Sequence, residues 1–115
     1  MLCFRFNEAQ QLTKTNVFYT TINIMENFNK IEELVLYHFG IDRQELYGIS
    51  RKRHLVDARK VMAHFLRKTM TFQAIGYIFN KDHTTVVHWV KCFEMIMMEQ
   101  EIRNIVENIE EELTF

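Results

Sequence analysis

Not one proline interrupts the 115 residues of this chain, and only three glycines do. Proline ends or kinks a helix because it lacks an N–H and clashes with the preceding turn, and glycine weakens one through the backbone freedom it loses on folding. Little here forces the backbone out of a helix. From about Glu26 onward the apolar residues recur at helical spacings, which predicts an all-α fold. At this length one domain of modest core is expected, with an extension at each end.

Phe28, Ile31, Val35 and either His38 or Phe39 line one side of a first helix, which Gly40 can terminate. Asp42-Arg43-Gln44-Glu45 has the spacing of a capping box, so a short helix follows. Leu55, Ala58, Met62, Phe65 and Leu66 make the apolar side of a longer helix running to about Lys68, with Arg51-Lys52-Arg53 as a basic loop before it. Thr71 is a candidate cap for a short helix whose apolar side is Phe72, Ile75 and Phe79. Asn80-Lys81 then makes a turn: asparagine tolerates the left-handed conformation that a tight break demands, and Gly76 lets two helices approach closely.

Asp82 suits the N-cap of the next helix, where its carboxylate can accept the orphan backbone N–H groups. The helix starts at about His83. Val86, Val90, Phe93 and Met97 form its buried stripe, while Thr84, His88 and Lys91 fall on the opposite side with Thr85 beside them. Helix, short turn, helix is the arrangement that places its second helix in the DNA major groove, N-terminal residues at the base edges, while the first crosses the backbone. Thr84 and Thr85 can exchange hydrogen bonds with base edges and touch a thymine methyl, His83 and His88 offer switchable donors, and Asp82 can accept from cytosine. Each has a plainer reading: a helical threonine bonds back to its own backbone, a histidine sits on the surface, an aspartate only caps. His38 and His64 receive the plainer reading, as core-edge or surface histidines.

The basic loop is a solvated run by default. Its position ahead of the helical hairpin gives it a second reading, because an arginine guanidinium suits the enhanced negative potential of a narrow minor groove. Arg51 is the first candidate for that role, with Lys52 and Arg53 supplying sequence-independent phosphate attraction.

Charge supports a nucleic-acid partner once it is divided along the chain. The formal total of −1 hides nine Lys/Arg against two Asp/Glu over residues 51–93, between a mildly acidic N-terminal half and a C-terminal stretch with one against seven. A basic block coinciding with the helical hairpin is the footprint expected of phosphate neutralisation.

Other function classes fit poorly. His83 and His88 are five apart rather than four, which turns them to different sides of a helix, and no Cys or Glu completes a site, so neither a metal nor an enzyme is expected. Cys3 and Cys92 make a disulfide framework improbable. No run approaches the roughly 20 apolar residues of a membrane span, and no secretory signal begins the chain; a cytoplasmic setting is expected. Trp89, Phe93, Phe72 and Phe79 at helical spacing read as core rather than as a platform for single-stranded bases. Met95, Met97 and Met98 read as packing or an adaptable contact surface.

The segments Leu46-Tyr47-Gly48-Ile49-Ser50-Arg51-Lys52-Arg53, Val56-Asp57-Ala58-Arg59, Ala74-Ile75-Gly76-Tyr77-Ile78-Phe79 and Asp82-His83-Thr84-Thr85-Val86-Val87-His88 together resemble the C-terminal DNA-binding domain of the bacterial replication initiator DnaA, over about Ile31 to Ile96. The resemblance implies a small helical domain with a helix-turn-helix, Trp-repressor-like, that binds double-stranded DNA at origin sites. It implies Arg51 in the minor groove, Arg59 on a phosphate, Asp82, His83, Thr84, Thr85 and His88 as major-groove readers, and Lys91 near the backbone; Lys81 joins the DNA-binding set with Lys52 and Arg53. Asp57, Ala58, Gln73, Ala74 and Trp89 depart from the family pattern and bear on site preference. DnaA couples this domain to an ATPase, but no glycine-rich Gly-Lys-Ser/Thr phosphate loop is present, so no ATP binding and no cofactor are expected. The chain reads as a stand-alone homologue or a piece of a larger initiator.

The expected organisation is a flexible or loosely packed tail over residues 1–25, the DNA-binding domain over 26–98, and an acidic amphipathic helix over 99–115. In that helix Ile102, Ile105 or Val106, Ile109 and Leu113 form the apolar side. It either packs on the domain as a solvated helix, pairs with a protein partner or second copy, or folds over the basic face and weakens DNA binding. The functional alternatives are a stand-alone transcriptional regulator of a mobile element and an interaction adaptor working through the acidic helix.

Overall fold

The computed structural model describes residues 27–113, and no strand occurs among them. Helix α1 covers residues 27–39 of that span and is followed by α2 (Arg43–Tyr47), α3 (Arg53–Leu66), α4 (Phe72–Phe79), α5 (His83–Ile96) and α6 (Gln100–Glu112). The all-α class follows the apolar spacing. Expectations for Cys3 and the tail of residues 1–25 fall outside the described residues.

The punctuation between helices is built from local chemistry. Gly40 ends α1 with φ +66°, and Asp42 starts α2 with a complete capping box: Glu45 N donates to Asp42 Oδ1 at 2.8 Å while Asp42 N donates to Glu45 Oε1 at 3.2 Å. Ala74 N donates to Thr71 Oγ1 at 3.1 Å at the head of α4. Asn80 closes α4 at φ 55°, ψ 46°, the left-handed region. The α4–α5 turn folds so closely onto α4 that a Cβ at Gly76 would lie 2.6 Å from the backbone oxygen of Lys81. α3 ends at Leu66, two residues before the expected Lys68, with Arg67 as its C-cap.

α3 is the central helix. Nine of its fourteen residues are buried, because neighbours cover more of it than the single stripe expected of a surface helix. Val35, Leu46, Ile75, Val86, Val106 and Ile109 from the other five helices share its core, each 1% exposed or less, and full burial of such a side chain contributes about 1.5–3 kcal/mol. Between α4 and α5, Trp89 meets Phe79 edge to face at 5.3 Å. Between α3 and α5, His64 stacks flat on Phe93 with centroids 3.7 Å apart. Trp89, Phe93 and Phe79 are core, and Phe72 is half-buried against it.

α6 buries Ile102, Val106 and Ile109 in this same core, with Ile105 only half-buried. Glu32 of α1 is buried and accepts from Arg43 Nε at 2.8 Å and from the Tyr47 hydroxyl, pinning α2 to α1. Burial, and then the bond to Glu32, pushes the Tyr47 phenol well above its ordinary range.

Candidate nucleic-acid interface

The first turn of α5 presents its side chains outward: Asp82, His83, Thr84 and His88 are exposed, Thr85 is partly covered, and Lys81 and Lys91 flank them in the open. The inner side of the same helix, Val86, Trp89 and Phe93, is buried, so α5 is fixed in rotation and the polar face is the one left for a ligand.

Asp82 occupies the N-cap position in extended backbone but makes no side-chain cap bond, contrary to the expectation from its residue type. Its carboxylate turns outward instead: Thr84 Oγ1 donates to Oδ2 at 3.0 Å, and His83 Nδ1 lies 3.1 Å from Oδ1. The Thr84 hydroxyl, with help from His83, holds the Asp82 carboxyl below the usual carboxylate range. Three of the expected base-reading side chains are thereby joined in one hydrogen-bonded group. One turn further on, Cys92 Sγ lies 3.4 Å from His88 Nε2.

The loop before α3 carries Arg51 and Lys52, both exposed and with no ion pair between them and an acidic side chain among the described residues. Ile49, two residues before Arg51, is 93% exposed, a large apolar side chain that sequence reasoning did not single out; only its place beside the basic run marks it. Arg53 is shared with acidic neighbours, at 3.8 Å from Asp57 and in an ion pair with Glu99 at the head of α6. Burial pushes the Asp57 carboxyl up, against the pull of Arg53.

Arg59 sits elsewhere than a phosphate contact requires. It is 5% exposed, and its guanidinium donates to four backbone carbonyls: Nε to Leu46 at 2.7 Å, Nη1 to Ser50 at 2.7 Å, and Nη2 to Glu45 and Gly48 at 3.0 Å each. Burial lowers its pKa from the ordinary arginine value, and the carbonyl oxygens compensate the enclosed cation. Four of the five guanidinium N–H donors are thus engaged inside the fold, where the resemblance implies a phosphate contact. Sequence gave no sign of this, since an arginine inside the basic block reads as one more surface cation.

The described residues hold no group of three His, Cys, Asp or Glu able to bind a metal, and none of their helices is long and apolar enough to cross a membrane.

A capped helix, a left-handed asparagine turn and a second helix with a polar outer face define the class: a helix-turn-helix domain. Residues 28–92 match the family described as bacterial DnaA protein helix-turn-helix, and the chain belongs to that family, corresponding to the C-terminal domain of DnaA. It is 35% identical over 112 residues to the chromosomal replication initiator protein DnaA of Geotalea uraniireducens, covering 93% of this chain and 24% of that protein. The DnaA of Bacteroides fragilis is 39% identical over 85 residues, 70% of this chain and 18% of that protein; that of Rhizobium johnstonii is 39% identical over 71 residues, 58% and 14%. The chain thus spans a quarter or less of the length of these relatives. No solved structure matches it significantly.

Proposed function

We propose that this chain binds double-stranded DNA with sequence preference, resembling the recognition of replication-origin sites, with the start of α5 in the major groove and Arg51 in the adjacent minor groove. The observation that carries this reading is the outward cluster of Asp82, His83 and Thr84 on a helix whose rotation is fixed by Val86, Trp89 and Phe93. Base readout needs donors and acceptors held in a defined geometry, and this cluster has one before DNA arrives. Thr85 and His88 extend the reading surface, while Lys52, Arg53, Lys81 and Lys91 attract phosphates. Arg59 leaves the contact set. The relatives are named replication initiators, which supports a role at origin-type sites for this domain. The adaptor reading loses ground, because α6 spends Ile102, Val106 and Ile109 on its own core.

The test is a set of three substitutions read on a preferred duplex and a random one. Arg51→Ala and Thr85→Ala each cost about 1–3 kcal/mol on the preferred site and narrow its advantage over random DNA. Lys52→Ala weakens both duplexes alike and flattens the salt dependence by about 0.9 in log–log slope. Equal, sequence-independent losses from all three would reduce the reading to general electrostatic binding.

A further inference from the structure

We infer that Arg59 is a positioning residue for DNA recognition: from inside the fold it holds the 45–50 segment in the shape that aims Arg51, and it never touches the nucleic acid. The inference rests on the proposed minor-groove role of Arg51.

One guanidinium collects carbonyls from four residues, Glu45, Leu46, Gly48 and Ser50. They run from the end of α2 through the turn to the residue immediately before Arg51. Carbonyls converging on one point repel each other unless a cation sits between them, and a planar fork of N–H donors fixes both their distances and their directions. The rest of the loop has little of its own to hold it. Lys52 makes no side-chain cap for α3, the Lys52 N to Ser50 Oγ bond is long at 3.4 Å, and Ile49 is out in solvent. Arg59 itself is anchored in α3, with buried Ala58 before it and buried Val61 two residues after it. α3 also packs against α5, so the guanidinium ties the minor-groove loop to the same scaffold that carries the reading helix. A lysine cannot replace it, because one ammonium has neither the reach nor the fork to serve four carbonyls.

The experiment measures binding of the full chain to a preferred and a random duplex across salt, for the unaltered chain, Arg59→Lys, Arg51→Ala and the double substitution, with folding checked by circular dichroism. Arg59→Lys is expected to lower the preference for the chosen duplex about tenfold, comparable to loss of one base contact. Its salt slope should stay unchanged, and in the Arg51→Ala background it should have no further effect on preference. A slope reduced by about 0.9 would identify a phosphate contact and overturn the inference, as would an intact preference or an additive double substitution. If the unaltered chain shows no preference, the base-reading proposal fails first and separately. Should Arg59→Lys not fold, hydrogen exchange of the arginine Nε–H groups in the unaltered, DNA-free chain decides. Arg59 should exchange far more slowly than Arg51; equally fast exchange would overturn the inference.

Discussion

Gly76→Ala tests the geometry that sets α5 against α4. The new methyl would sit 2.6 Å from the Lys81 carbonyl oxygen, where ordinary contacts begin at 3.4 Å, so the turn must retreat by about 0.8 Å. The obstacle is backbone, and the same turn carries the Lys81 N to Gly76 O hydrogen bond at 2.8 Å, so the retreat stretches that bond as well. Overpacking costs about 1–3 kcal/mol and a weakened hydrogen bond about 1 kcal/mol, while replacing a helical glycine by alanine returns about 1 kcal/mol. The net expectation is a loss of about 1–3 kcal/mol in urea unfolding followed by circular dichroism. Gly40→Ala is the comparison: its φ is +66° and nothing lies within 4 Å of the added methyl, so it should cost only the left-handed strain of about 1–2 kcal/mol, with DNA binding unaffected. Gly76→Ala should in addition weaken DNA binding, because α5 is displaced. Unchanged or increased stability would refute the close-approach argument, since helix propensity alone would then have decided the outcome.

Thr71→Ala removes the bond to Ala74 N and should cost about 1 kcal/mol in the same unfolding assay. His64 has its pKa lowered, first by burial and then by Lys68. Stability is therefore fully present above the unfolded imidazole value of about 6.5 and falls as pH drops below it, because the unfolded chain takes the proton first. His64→Leu should flatten the fall in unfolding free energy as pH drops below about 6.5. Glu99→Gln releases Arg53 from its ion pair and should raise affinity for all duplexes by up to about 1 kcal/mol, with a steeper salt slope. It is cleaner than deleting residues 99–115, which would also strip Ile102, Val106 and Ile109 from the core.

Residues whose role is settled within a few positions are legible in the sequence itself. Thr71, Asn80, Gly40 and the Asp42/Glu45 pair act through their own turn, so residue type and spacing reveal them. Gly76 belongs with them because the close approach it permits lies only five residues ahead. Arg59 was not legible, because its four carbonyls come from the segment before α3 and only the packing of α2 onto α3 brings them within reach. Glu32 was missed for the same reason: its partners Arg43 and Tyr47 both lie on α2, which only packing brings against α1, and an acid on the buried side of α1 contradicts the simple apolar stripe. Asp82 was half legible. The N-cap position is local, but Thr84 and His83 on the open surface engage its carboxylate, and the regular cap bond into the first turn is not made.

The proposal that this domain reads DNA sequence is met most directly by selection from a randomised pool of short duplexes at physiological salt, with the unaltered chain, Arg51→Ala and Thr85→Ala run in parallel. A motif enriched by the unaltered chain and blurred at different base pairs by each substitution is the expected result. A pool still random after repeated rounds, while binding persists at low salt, would contradict sequence readout and leave only the basic face.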